Sequence, residues 1–204
     1  MMKFKSCFLL VLLLCCTFAL AEEPIETQTD STGVYEYTLL ENGSAEIIRY
    51  RGKDQVLEIP AELDGHPVTS IGEKAFFFCD SLTDISIPDS VSSIGEGAFA
   101  SCDALQSIHL SPDHPVFAVI DNVLFDKTSK TLILYPGGLT ASEYSIPDGI
   151  LAIGDYTFDD CTSLTTISIP DSVSSIGEYA FYSCDSLTTI SIPDSVTSIG
   201  DFSS

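Results

Sequence analysis

From Gln55 onward, apolar residues return in one fixed order: Cys, Leu, Ile-x-Ile-Pro, Val, Ile-Gly, Ala-Phe, then Cys again. Residues 168–190, SIPDSVSSIGEYAFYSCDSLTTI, show the unit in full. Cys79, Cys102, Cys161 and Cys184 mark its phase, with spacings of 23, 59 and 23 residues. The Ile-Pro pairs at Ile59, Ile87, Ile146, Ile169 and Ile192 keep the same phase. Two Ile side chains at period two share one face of a short strand, and Pro, lacking an N–H, ends the ladder there. Val91, Ile94, Ala98 and Phe99 are the other inward candidates of one turn. Gly follows Ile in every copy (Gly72, Gly95, Gly154, Gly177, Gly200), which predicts a corner with positive φ at that glycine. One turn is too small to bury its own apolar residues. Stacked turns bury them in columns ~4.8 Å apart. The expected fold is therefore a β-rich repeat solenoid of 23-residue turns, right-handed, with a strand on its concave side.

Three segments depart from the period. The spacing of 59 holds one turn of 36 residues, so an insertion over about 112–141 is expected. Within it FAVIDNVLFDKTSKTLILYP (117–136) has two apolar runs around a polar turn, Asp126 to Lys130, and predicts a β-hairpin projecting from the stack. Asp64-Gly65 lengthens an earlier corner beside His66. Residues 34–54 contain two strand-like runs around Asn42-Gly43, a hairpin signal, and are expected to cap the open end of the stack. Residues 22–33 are polar and read as a flexible leader. Residues 1–21 have a basic start, an apolar run and an Ala19-Leu20-Ala21 ending, which predicts a secretory signal peptide cleaved after Ala21. The run is short of the ~20 residues of a spanning helix. Leu13 and Leu14 before Cys15 and Cys16 do not form the small-residue site of a lipid-modified cysteine.

The C-x-x-L-x-x-I-x-I-P and I-G-x-x-A-F units resemble the BspA-type leucine-rich repeat, a surface family of bacteria and protists, over residues 55–204. The chain departs from the pattern at Thr157, where Ala is expected, and in the last copy, SIPDSVTSIGDFSS, which stops within a turn. The resemblance implies adhesion or host-protein binding. It also implies that the cysteines are buried repeat markers which satisfy backbone groups of the turn.

Charge narrows the function. With 8 Lys+Arg against 30 Asp+Glu the net charge is −22, and without residues 1–21 it is −24. Such a surface repels phosphate backbones and anionic headgroups, so nucleic acid and peripheral membrane binding are excluded as expectations, as is membrane insertion once the signal is removed. Much of the charge is in register. Asp89, Asp148, Asp171 and Asp194 follow Pro; Glu73, Glu96, Asp155, Glu178 and Asp201 follow Gly; Asp80, Asp103 and Asp185 follow Cys. Neighbours ~5 Å apart in such columns repel by roughly 0.8 kcal/mol in water, a tolerable cost, so a soluble skin accounts for them. A Ca²⁺ ladder serving a glycan-binding module is the sharper alternative, and needs six or more converging oxygens.

No catalytic, metal or cofactor motif is present. Inward parallel cysteines disfavour disulfides, and their spacing does not suit zinc. His109 and His114 around Asp113 read as a solvated loop. Carboxylates copied in every turn argue against an enzyme, whose active site is singular. The expected function is a secreted or cell-surface scaffold that binds an extracellular protein or glycan. The candidate contact residues are Thr83, Ser86, Thr166, Ser168, Thr189 and Ser191 along the strand face, with Lys127, Lys130 and His66 in the loops. The rival reading is a structural or truncated fragment that self-associates through its C-terminal strand edge.

Overall fold

The computed structural model describes residues 26–203. The predicted signal segment therefore lies outside the described residues. Eighteen strands and no helix occur among them. The N-terminal part holds β1 (Thr27–Thr29), β2 (Tyr35–Leu39), β3 (Ala45–Tyr50), β4 (Val56–Glu58), β5 (Glu62–Leu63) and β6 (His66–Ile71). The middle holds β7 (Asp84–Ser86), β8 (Ser93–Ile94), β9 (Ser107–His109), β10 (Phe117–Ile120), β11 (Val123–Asp126) and β12 (Thr131–Leu134). The last turns hold β13 (Glu143–Ser145), β14 (Ala152–Ile153), β15 (Thr166–Ser168), β16 (Ser175–Ile176), β17 (Thr189–Ser191) and β18 (Ser198–Ile199).

The chain is a β-solenoid. Each Ile-x-Ile strand pairs in parallel with its copy one turn on, Ile85 with Ile108 and Ile167 with Ile190. These strands form two three-stranded sheets, β4-β7-β9 and β13-β15-β17. A second strand per turn comes from Ser-Ile (Ala-Ile in β14), whose copies pair as β6-β8 and β14-β16-β18. Two residues rich in hydroxyl are too short to read as a strand from sequence, so the periodic pattern reveals only the first ladder. Leu82, Ile85, Ile87, Val91 and Phe99 are all buried between the ladders. Equivalent rings stack along the axis, Phe76 on Phe99 at 5.2 Å and Phe158 on Phe181 at 5.3 Å. Each such pair adds about 0.5–1.5 kcal/mol beyond the burial of its rings.

The repeated glycines are needed for a reason other than the expected one. None of Gly72, Gly95, Gly154, Gly177 and Gly200 has positive φ. A Cβ on Gly95 would come within 2.5 Å of Glu73 N, and one on Gly200 within 2.4 Å of Glu178 N. Successive turns touch backbone to backbone there, and no side chain fits. Positive φ falls two residues later, at Lys74, Gly97, Tyr156, Tyr179 and Phe202, and again before Cys, at Phe78, Ser101, Asp160 and Ser183. The left-handed conformation turns each of several N–H groups toward the next turn: Lys74 N–H donates to Glu96 O (3.1 Å) and Tyr156 N–H to Glu178 O (3.0 Å). These bonds between turns offset a conformational cost of about 1–2 kcal/mol for each bulky residue.

The expected hairpin about Asp126–Lys130 is present as β11–β12, but the insertion does not project from the stack. It is a three-stranded antiparallel meander, β10-β11-β12, whose last strand pairs in parallel with β14 and so enters the second ladder. Val123, Leu124, Phe125, Leu132 and Leu134 are buried, which is why the segment stays in the sheet. Leu124 and Leu134 pack into the N-terminal core, while Val123, Phe125 and Leu132 pack into the C-terminal one. Thr157, which replaces the repeat alanine, is fully buried beside the meander, and its hydroxyl donates to Gly154 O at 2.7 Å.

At the N-terminus β2 and β3 pair antiparallel, and β3 continues in parallel onto β6. The segment read as a flexible leader over 22–33 is structured where it is described, since β1 pairs antiparallel with β2. Asp30 explains this. Its carboxylate accepts the N–H groups of Thr32, Val34 and Tyr35.

Candidate functional site

The solvent side of the Ile-x-Ile ladder is a periodic polar surface. Thr166 pairs with Thr189, and Ser168 with Ser191, on either side of Ile167 and Ile190. All four polar residues are exposed. In the first sheet the matching positions are Asp84 with Ser107 and Ser86 with His109. Asp84 and His109 approach at 3.7 Å. Hydrogen bonds from the Thr83 hydroxyl foremost, then from the Ser107 hydroxyl and the His109 ring, hold the Asp84 carboxyl below the usual carboxylate range against its burial.

Thr83 itself stands outside that column. Its hydroxyl lies 3.0 Å from Gln55 O, just as Thr165 reaches Ser142 O (2.9 Å) and Thr188 reaches Thr165 O (3.2 Å). These threonines form a ladder of hydroxyl-to-carbonyl contacts that ties turn to turn. The insertion breaks the strand face, because β9 and β13 belong to separate sheets.

The loop candidates are dispersed. His66 Nδ1 lies 2.9 Å from Gly43 O at the N-terminal hairpin loop. Lys127 Nζ donates to His114 O, and Lys130 is exposed at the β11–β12 turn with φ of 58°. His114 is not in a solvated loop: it is 1 % exposed. Its Nδ1 accepts the Phe117 N–H at 3.1 Å, and its Nε2 faces Pro88 O at 3.4 Å, so it anchors the start of the meander. Among the described residues no three His, Cys, Asp or Glu side chains are grouped to hold a metal ion.

The four repeat cysteines are free thiols. Cys102 Sγ donates to Phe76 O at 3.1 Å and Cys184 Sγ to Phe158 O at 3.0 Å, each to the preceding turn. The neighbouring Cys79 thiol and burial hold Cys102 well above the usual thiol range, and burial does the same for Cys161.

One feature of the site escapes the periodic pattern. Asp159 is buried, and its Oδ2 accepts the Ser101 N–H at 2.7 Å. Burial pushes this carboxyl up to about 6, against the pull of the Ser101 hydrogen bonds. The two residues belong to turns separated by the insertion. The insertion leaves out one corner, so the second and fourth corners meet there. The signal in the sequence is a substitution: Asp159 occupies the place of Phe77, Ala100 and Tyr182 in other copies. Close by, Asp155 raises Glu96 above the usual carboxylate range, and burial raises Asp103.

Residues 63–143 and 135–203 match the family described as BspA type Leucine rich repeat region, in six copies. No curated protein matches the chain. A leucine-rich cell surface protein from Faecalibacterium prausnitzii A2-165 is similar in structure, with a TM-score of 0.54, 29% identity, and coverage of 88% of this chain and 52% of that one. A leucine-rich repeat protein from Bacteroides ovatus ATCC 8483 has a TM-score of 0.50 and 30% identity, covering 83% of this chain and 48% of its own. The pneumococcal vaccine antigen PcpA shares the fold, with a TM-score of 0.60 at 22% identity over 67% of this chain and 40% of that one. The chain thus spans about half or less of the length of these three structures.

Proposed function

The chain belongs to the BspA-type leucine-rich repeat family, and from that premise we propose that it is a secreted or cell-surface scaffold that binds an extracellular protein or glycan without catalysis. The observation that carries this reading is the exposed polar column along β15 and β17, where Thr166, Ser168, Thr189 and Ser191 repeat at one spacing. Such a face offers many weak hydrogen-bonding contacts in register, and suits an elongated partner better than a small substrate. The similarity to a Faecalibacterium cell surface protein supports the surface location. The negative charge directs the choice toward basic or neutral partners. Lys127, Lys130 and His66 are proposed as secondary contacts at the loops.

The test is binding of the purified chain to extracellular-protein and glycan arrays, repeated with Thr166, Ser168, Thr189 and Ser191 all changed to Ala. A hit that disappears with the fourfold change supports the reading. Hydrolase or transferase activity abolished by a single Asp→Asn change would replace it with an enzymatic one.

A further inference from the structure

Beside the insertion the second ladder is interrupted. Strand β8 pairs with β6 on one side and, among the described residues, with no strand on the other. A cleft of about 170 Å³ opens next to that edge, lined by Ile94, Phe99, Ile133 and Tyr156, with Glu96 and Asp155 among its walls. Its volume lies well below the ~300 Å³ of the smallest usual small-molecule pockets, and suits one long side chain. Glu96 is exposed and Asp155 half-buried. The two carboxylates are close enough that the charge of Asp155 disturbs Glu96 more than any other group does, with Glu73 and Glu178 adding to it.

We infer that this cleft receives an arginine side chain from a partner protein, its aliphatic stem against Ile94, Ile133 and Phe99 and its guanidinium between Glu96 and Asp155. The inference rests on the protein-binding reading above and names the chemistry of one contact. Three observations select the occupant. Apolar walls with a charged rim match a side chain that buries its stem and keeps its cationic head outside. Two like charges held together are relieved by one cation, and a planar fork spans two carboxylates better than an ammonium does. The ring of Tyr156 already attracts a cation: Lys74 Nζ lies 4.9 Å from its centroid. Lys74 is not among the residues that line the cleft.

The probe is a capped pentapeptide of glycine and serine around one central arginine, titrated into the full chain and followed by isoleucine methyl NMR. Saturable shifts at Ile94 and Ile133 are expected. Replacing arginine by citrulline, or combining Glu96→Gln with Asp155→Asn, weakens binding at least about ten-fold, roughly 1.4 kcal/mol. A control with Glu58→Gln and Glu143→Gln, which removes two exposed carboxylates elsewhere, keeps the affinity. Absence of localised shifts, equal binding of the citrulline peptide, or equal loss in the control overturns the inference. If array binding persists while the peptide fails, the scaffold reading stands and the cleft does not.

Discussion

The main-chain N–H of Ser101 donates to the carboxylate of Asp159 at 2.7 Å, across 58 residues of sequence. Everything between them, β9, the meander, β13 and β14, is routed around this contact. The bond joins the corner of one turn to the corner of the turn after next, and holds the two halves of the solenoid in register.

Asp159→Ala therefore leaves the buried Ser101 N–H without an acceptor. The expected loss is about 1–3 kcal/mol, read as a lower urea midpoint with an unchanged slope. Asp159→Asn keeps an acceptor oxygen and loses less. Wild-type stability in the Ala variant would show that water replaces the carboxylate.

The pH dependence follows from the same group. The Asp159 carboxyl is raised from 3.8 to about 6, so the folded state holds its proton more tightly than the unfolded chain does. Glu96 and Asp103 are raised as well. Raised carboxyls contribute stability that is present at low pH and lost as pH rises through their folded-state pKa, which for Asp159 is about 6. The melting temperature should thus increase as pH falls through this range toward 3.8, and Asp159→Asn should flatten much of the rise. Below 3.8 the trend reverses. Burial is the largest single influence on Asp30 and raises it, but the hydrogen bonds from Thr32, Tyr35 and Val34 together leave it lowered, and Asp84 is lowered chiefly by Thr83. A melting temperature that falls steadily from neutral pH downward would contradict this.

Glycine substitutions separate close approach from conformation. A Cβ on Gly177 would stand 2.1 Å from Asp155 Oδ1 and 2.6 Å from both Asp155 N and Gly154 C, so Gly177→Ala is expected to cost about 1–3 kcal/mol through overpacking between turns. Gly43 has open space and φ of 80°, so Gly43→Ala meets only the backbone cost of about 1–2 kcal/mol. Adding Asp155→Ala removes the side-chain part of the Gly177 collision and leaves most of the first loss intact, since the Asp155 and Gly154 backbone still collides. Rescue by that second change would refute the account.

Thiol chemistry should divide the cysteines in pairs. Cys79 and Cys184 are partly exposed and lowered by the thiols of Cys102 and Cys161, which are buried and raised. An alkylating reagent at mildly alkaline pH should label the first pair in the native state and the second only on unfolding. Mass spectrometry of the labelled peptides checks the order, and simultaneous labelling of all four would count against it.

The stack was legible because a period in sequence becomes a column in space: Ile85 predicts Ile108, and Ile167 predicts Ile190, with no further knowledge. The corners were not, because residue propensity points the wrong way. Left-handed φ is expected at Gly, yet it falls on Lys74, Tyr156 and Tyr179, where bonds between turns impose it. The meander was misread because Asp121-Asn122 turns the chain with φ of 52° and 64°, and without a glycine an apolar run continues through it in sequence. The cleft was out of reach for another reason. It exists only where the period fails, and a pattern of repeats reports nothing about what fills its gaps.

The splice between Ser101 and Asp159 also decides which parts of this chain are interchangeable. A duplicated 23-residue copy taken from β15 to β16 would find every neighbour it needs, since the turns on either side present the same Ile, Gly and Cys. A duplicated copy carrying Thr157 and Asp159 would not. Its carboxylate would face another corner of its own kind in place of Ser101, and its threonine would lack the meander beside it. The solenoid can lengthen by copying toward its C-terminal turns, whereas the fourth turn is a unique joint that must be inherited whole with the segment it closes over.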